Sequence, residues 1–113
     1  LEPQAIKRKA EALRTLLESI DDPRLEIRLQ DCLSKTGGGS LPLMELPSRC
    51  ISVTMAHLSA NTVDTHLRQN SPPIIGRIEE DAILMDVRTL QEDEFIIITK
   101  AIEAILKGTD HDA

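Results

Sequence analysis

Three consecutive glycines, Gly37, Gly38 and Gly39, sit between Thr36 and Ser40 and are followed by Leu41-Pro42-Leu43-Met44-Glu45-Leu46-Pro47-Ser48. No stretch of the chain restricts its fold more. Glycine opens backbone regions closed to other residues and lets the chain approach a partner closely, but it orders at a high entropic cost. Such a run therefore interrupts any helix or strand that reaches it. It serves either as a linker or as a loop that touches something. The leucines at 41, 43 and 46 provide anchors that linkers usually lack, which favours the touching loop.

The segments on either side alternate. Leu25, Ile27 and Leu29 interleave with Glu26, Arg28 and Gln30, the period of a half-buried strand. Cys50 to Met55 alternates in the same way and predicts a second strand. Before the first strand, Ile6, Ala10, Leu13, Leu17 and Ile20 recur at helical spacing, and Pro3 suits a first helical turn. Asp21-Asp22-Pro23 closes that helix, because the residue before proline avoids the α region.

Further along, Ser59 is placed as an N-cap. Leu58 and Val63 have the spacing of a hydrophobic staple, so a helix is expected from about 60 to 69. Residues 74–88 read as a hairpin with Glu80-Asp81 as its two-residue turn. Ile78 then faces Ile83, and Gly76 faces Met85. Ile74, Ile78, Ile83, Met85 and Val87 share one face, and Arg77, Glu79, Asp86 and Arg88 share the other with Ile75 and Leu84. A last helix is expected from about 92 to 107, with Phe95, Ile98, Ile102 and Ile105 inward and Gly108 as its C-terminal cap. This order predicts an α+β fold: a mostly antiparallel sheet of about four strands with helices on one face.

Composition narrows the function. At 113 residues and 41% hydrophobic content the chain is long enough for one core. Phe95 is the sole aromatic and the net charge is −6, which argues against base stacking and against a surface that tracks phosphates. No apolar run approaches a membrane span and no signal peptide opens the chain. Cys32 and Cys50, far apart and without a CxxC partner, are expected as reduced, semi-buried thiols of a cytoplasmic protein. A chain beginning at Leu1 is expected to be a piece of something longer.

Few residues carry chemistry by spacing alone. Lys35 precedes the glycines and Leu-Pro follows them, so the loop lacks the Walker A order. The amides of Gly37, Gly38 and Gly39 remain a candidate anion nest, or a wide strand connection packed against another domain. His57 and His66 have no ligand at metal-binding spacing, and no metal site is expected. Arg77 offers a planar fork to a carboxylate or phosphate if Asp86 holds it across the strands. The alternative is a plain ion-pair face of Arg77, Asp86 and Arg88.

Four segments then occur in order: Thr36-Gly37-Gly38-Gly39-Ser40-Leu41-Pro42, Leu46-Pro47-Ser48, Pro73-Ile74-Ile75-Gly76-Arg77-Ile78 and Leu84-Met85-Asp86-Val87-Arg88-Thr89-Leu90. Together they resemble the C-terminal part of the bacterial L-seryl-tRNA(Sec) selenium transferase (selenocysteine synthase) family. The resemblance implies a pyridoxal 5'-phosphate enzyme of fold-type I that uses selenophosphate to convert seryl-tRNA(Sec) to selenocysteinyl-tRNA(Sec). In such enzymes a large domain carries the Schiff-base lysine and a small C-terminal domain closes one side of the site.

On that basis residues 1–22 are a helix leading from the absent large domain, and 23–113 are the small domain. None of Lys7, Lys9, Lys35, Lys100 or Lys107 matches the cofactor lysine, so no catalytic residue is expected here and the isolated piece is expected to be inactive and free of cofactor. Arg77, Gly37, Gly38, Gly39 and Ser40 become candidates for substrate binding, with Asp86 and Arg88 as a supporting ion pair. The family implies a homo-oligomer in the cytoplasm. Alternatives are the small domain of a related pyridoxal-phosphate lyase, or a non-catalytic α+β interaction module.

Overall fold

The computed structural model describes the backbone of residues 3–36 and 44–108, and side chains over 4–32 and 48–108. The elements run α1 (Pro3–Glu18), β1 (Leu25–Thr36), β2 (Met44–Met55), α2 (Ala60–Arg68), β3 (Arg77–Glu79), β4 (Ala82–Asp86), a 3-10 turn (Val87–Thr89) and α3 (Glu92–Gly108). The four strands form one antiparallel sheet in the order β1-β2-β4-β3. The fold is α+β.

Strand parity assigns the two faces. Ile51, Val53 and Met55 of β2, with Ile83 and Met85 of β4 and Val87 just beyond it, join the helices in a single core. α1 contributes Ile6, Ala10, Leu13 and Leu17, α2 contributes Val63 and Leu67, and α3 contributes Phe95, Ile98, Ile102 and Ile105. Leu13, Leu17, Ile51, Ile83, Ile98 and Ile102 are fully buried, each worth about 1.5–3 kcal/mol relative to exposure. The opposite face carries Glu26, Arg28, Gln30 and Cys32 from β1, Ser48, Cys50 and Ser52 from β2, Leu84 and Asp86 from β4, and Arg77 and Glu79 from β3.

The local signals for α2 and the second hairpin hold. The Ser59 hydroxyl accepts the Thr62 amide at 3.2 Å. Glu80 and Asp81 form the turn with φ of 51° and 59°, the left-handed pair that a two-residue hairpin turn of type I′ demands. Ile78 pairs with Ile83, as the alternation predicts. That turn also reaches α2, because the Asp81 carboxylate accepts the Ala60 amide at 3.0 Å.

Some expectations change. The first hairpin is longer than the alternation indicates: its ladder continues to Thr36 opposite Met44, so Ser34–Thr36 and Met44–Ser48 are strand rather than loop. From Met44 to Arg49, β2 pairs only with β1, and this two-stranded arm contributes to a 48 × 29 × 25 Å envelope. The chain after Asp86 turns into a 3-10 helix, which takes Arg88 off the strand. Ile78 stays 41% exposed because β3 is an edge strand where the helical cover thins. Gly108 is the last residue of α3 rather than a cap beyond it.

Two corners fix the layers. Arg24 grips Asp22 through Nε at 3.1 Å and Nη2 at 2.8 Å, and its Nη2 also donates to the Leu106 carbonyl at 3.2 Å near the end of α3. The Arg24 side-chain hydrogen bonds, then its backbone amide, hold the Asp22 carboxyl down to about 2, with a smaller contribution from the charge of His57. A lowered folded-state value stabilises the fold above the ordinary 3.8, and this contribution disappears as pH falls towards 2. The stability gap between wild type and Asp22→Asn, followed by urea unfolding, is therefore expected to be constant near neutrality and to close across that acid window.

The other corner is Gly76, where an added Cβ would lie 2.8 Å from Ile83 Cγ2 and 2.9 Å from the Leu84 carbonyl oxygen. Because one of those neighbours is backbone of the central sheet, Gly76→Ala is expected to cost about 1–3 kcal/mol. A lowered urea midpoint with an unchanged slope would show it.

Candidate functional site

The polar side of the sheet gathers a compact set of reactive groups at the base of the long hairpin. Cys32 lies opposite Ser48 and Cys50 opposite Gln30, so the two cysteines are diagonal neighbours on one face. Their Cα atoms are 5.9 Å apart and their sulfurs form a disulfide. The expectation of two separate thiols is thereby corrected. The reason is the register: an 18-residue separation in sequence collapses to rungs two apart, on the same face, once β1 and β2 pair along their whole length. Cys50 is fully buried and Cys32 half-buried.

Asp86 pairs with Cys50 in the ladder. One of its carboxylate oxygens lies with both sulfurs in a group whose members are all within 4.8 Å of one another. Asp86 Oδ1 accepts from the Ser48 hydroxyl at 2.5 Å and from the Arg88 backbone amide at 3.0 Å. Arg77 approaches from the next strand, with Nη2 3.8 Å from Cys50 Sγ and Nε 3.4 Å from Glu79 Oε2. Its side chain is 42% exposed, so the guanidinium has one side in the cluster and the other open.

The ion pairs foreseen from spacing take other forms. Arg77 lies opposite Leu84, two residues short of Asp86, and pairs with Glu79 instead. Asp86 and Arg88 meet through the Arg88 amide, which makes the aspartate the N-cap of the 3-10 turn. The remaining candidates, Gly37, Gly38, Gly39 and Ser40, lie outside the described residues. The strand ends they join are six residues along β2 from Cys50, roughly 20 Å at about 3.4 Å per residue. Arg77 and those strand ends therefore mark two regions of the polar side.

A second depression on this face, lined by residues that include Glu26, Arg28, Ser52, Thr54, Glu79 and Leu84, lies over the middle of the sheet. Among the described residues, His57 in the turn after β2 and His66 on α2 are exposed. The lysines with described side chains, Lys7, Lys9, Lys100 and Lys107, lie on α1 and α3, and the Lys9 amino group donates to the Leu90 carbonyl.

Sequence reasoning missed Cys32, Cys50 and Ser48 as members of one site. The available signal was parity: Cys32 continues the Glu26-Arg28-Gln30 face, and Ser48, Cys50 and Ser52 alternate together. What was lacking was the register that joins them.

The described residues form an antiparallel α+β module whose sheet has a polar face on one side. Residues 1–91 match the family model described as SelA, L-seryl-tRNA selenium transferase, and the chain belongs to that family. It is 37% identical over 109 residues to the L-seryl-tRNA(Sec) selenium transferase of Moorella thermoacetica, covering 96% of this chain and 23% of that protein. It is 38% identical over 103 residues to the same-named protein of Aquifex aeolicus, covering 91% of this chain and 22% of that protein. A third, from Alkaliphilus metalliredigens, is 35% identical over 102 residues, or 90% of this chain and 22% of its own length. The chain thus spans less than a quarter of the curated relatives it matches.

The disulfide closes a loop of 18 residues in sequence, for which the chain-entropy relation gives about 3 kcal/mol. Cys32→Ser, unfolded in urea under non-reducing conditions with a chelator present, is expected to lose up to about that amount. Adding reductant to the wild type should reproduce the loss.

Proposed function

We propose that this chain is the C-terminal small domain of a pyridoxal-phosphate-dependent selenium transferase. The parent enzyme converts seryl-tRNA(Sec) to selenocysteinyl-tRNA(Sec) with selenophosphate. The observation that carries this reading is the family match across residues 1–91. The curated relatives, which share the name L-seryl-tRNA(Sec) selenium transferase, favour it over a related lyase of the same cofactor class.

In the parent enzyme the cofactor would serve as the electron sink of the reaction. Its Schiff-base lysine would come from outside this chain, because none of Lys7, Lys9, Lys35, Lys100 or Lys107 matches the cofactor lysine of the family. The contribution of this domain is binding and orientation. Arg77 is held from one side by Glu79 and Cys50 and open on the other. A guanidinium fixed in this way can present its remaining N–H groups to a carboxylate or phosphate oxygen, which suits the anionic groups of an aminoacyl-tRNA or of selenophosphate. The residues from Gly37 to Ser40 are assigned to the mouth of the active site or to a contact between subunits of a cytoplasmic homo-oligomer. Alone, the domain has no transferase activity on this reading.

Arg77→Ala in the parent enzyme, assayed for transfer of selenium to seryl-tRNA(Sec), is expected to lower turnover at least tenfold while the thermal unfolding midpoint stays near wild type. Near-normal turnover would reduce Arg77 to a partner of Glu79 on a solvated face.

A further inference from the structure

The cluster at the base of the hairpin contains more than a disulfide needs. A disulfide is neutral and gains nothing from a carboxylate beside it, yet Asp86 stands within 4.8 Å of both sulfurs. Its Oδ1 accepts from the Ser48 hydroxyl and the Arg88 amide, which holds the carboxylate in place beside the sulfurs. Two sulfurs and one carboxylate oxygen are the donor set of a borderline-soft divalent cation, bound with zinc–sulfur distances of about 2.3 Å and zinc–oxygen distances of about 2.0–2.2 Å. A tetrahedral shell of that size separates its donors by roughly 3.3–3.8 Å, so donors already within 4.8 Å need only small side-chain rotations to reach it.

We propose that reduced Cys32 and Cys50, together with Asp86, form a three-ligand site for a zinc-class divalent cation, and that occupation of this site and the disulfide exclude one another. The metal-binding form arises when a dithiol reduces the Cys32–Cys50 bond. Two electrons and two protons pass to the sulfurs, and the dithiol becomes a disulfide. The cation then displaces both thiol protons to the solvent, and water fills the fourth position.

Charge supports the assignment. Two thiolates, one carboxylate and a divalent cation leave a single negative charge, and the Arg77 guanidinium 3.8 Å from Cys50 Sγ neutralises it. Outer groups of this kind orient ligands and tune a metal site. Ser48 and Arg77 are thus positioning residues rather than ligands. The burial of Cys50 and half-burial of Cys32 keep the ligands on the ordered base of the sheet. The proposal does not depend on the parent reaction, because its readout is binding to this chain.

The test is titration of the 113-residue chain with Zn2+ and with Co2+ after reduction by a phosphine and removal of metals, with circular dichroism as a check on folding. The reduced wild type should bind one equivalent, with a thiolate-to-cobalt charge-transfer band that a chelator abolishes. The oxidised chain should bind at least a hundredfold more weakly. Cys32→Ser should lose the charge-transfer intensity, and Asp86→Asn should weaken binding at least tenfold. Ser48→Ala should weaken it about 10–100-fold while leaving the ligand set intact.

If reduction unfolds the chain, one equivalent of Zn2+ should restore the dichroism. Failure to restore it would overturn the site. So would a folded, reduced wild type that takes up no stoichiometric metal, or a Cys32→Ser variant that binds as tightly as wild type. Unchanged affinity in Asp86→Asn would overturn the three-ligand assignment.

Discussion

The pairing of β1 with β2 is the interaction on which the rest of the molecule depends. Its ladder runs from Leu25 opposite Met55 to Thr36 opposite Met44. Because side chains alternate, a slip of one residue would exchange the two faces of one strand. In the observed register Ile51, Val53 and Met55 reach the helices while Ser48, Cys50 and Ser52 reach the polar side. β4 can then add to β2 over Cys50–Val53, and Asp86 arrives beside the sulfurs as a consequence. The core and the reactive cluster are two outcomes of one choice of register.

Much of this was legible in the residues, for physical reasons that differ from element to element. The three helices announce themselves through apolar spacing and, at α2, through the Ser59 cap and the Leu58–Val63 staple. The Glu80-Asp81 turn was legible from the alternation on either side, even without the glycine such turns favour; Asp81 meets the requirement for positive φ and caps α2 as well. The extension of the first hairpin was not legible. Gly-rich and Pro-containing composition after Thr36 signals interruption, and over Met44–Ser48 pairing with β1 overrides that local preference. The disulfide was hidden for the same reason, since sequence distance says nothing of proximity until a register is known. Arg77 was identified as a residue of interest, but the register set by the two-residue turn places it opposite Leu84 rather than Asp86, and its ion pair is with Glu79.

Family membership and geometry give different kinds of information here. The match says which proteins this chain is kin to, and it covers under a quarter of the length of those relatives. The geometry shows what this portion supplies: a packed helical layer, an arm of paired strands, and a polar face where one arginine is held and partly open.

The strand order also determines how the molecule behaves towards its own copies. β1 and β3 are the two borders of the sheet, and a border with unpaired backbone groups invites another chain to add a strand. β3 offers only three residues, two of them charged, which is too short a template to propagate. β1 is four times longer, but Glu26, Arg28 and Asp31 punctuate it, with Arg28 bound to Glu26 and Arg49 to Asp31. A copy approaching that border in an extended conformation would have to strip water from alternating charges before gaining a hydrogen bond. The charges that discourage such an addition lie along the same strand that anchors the fold.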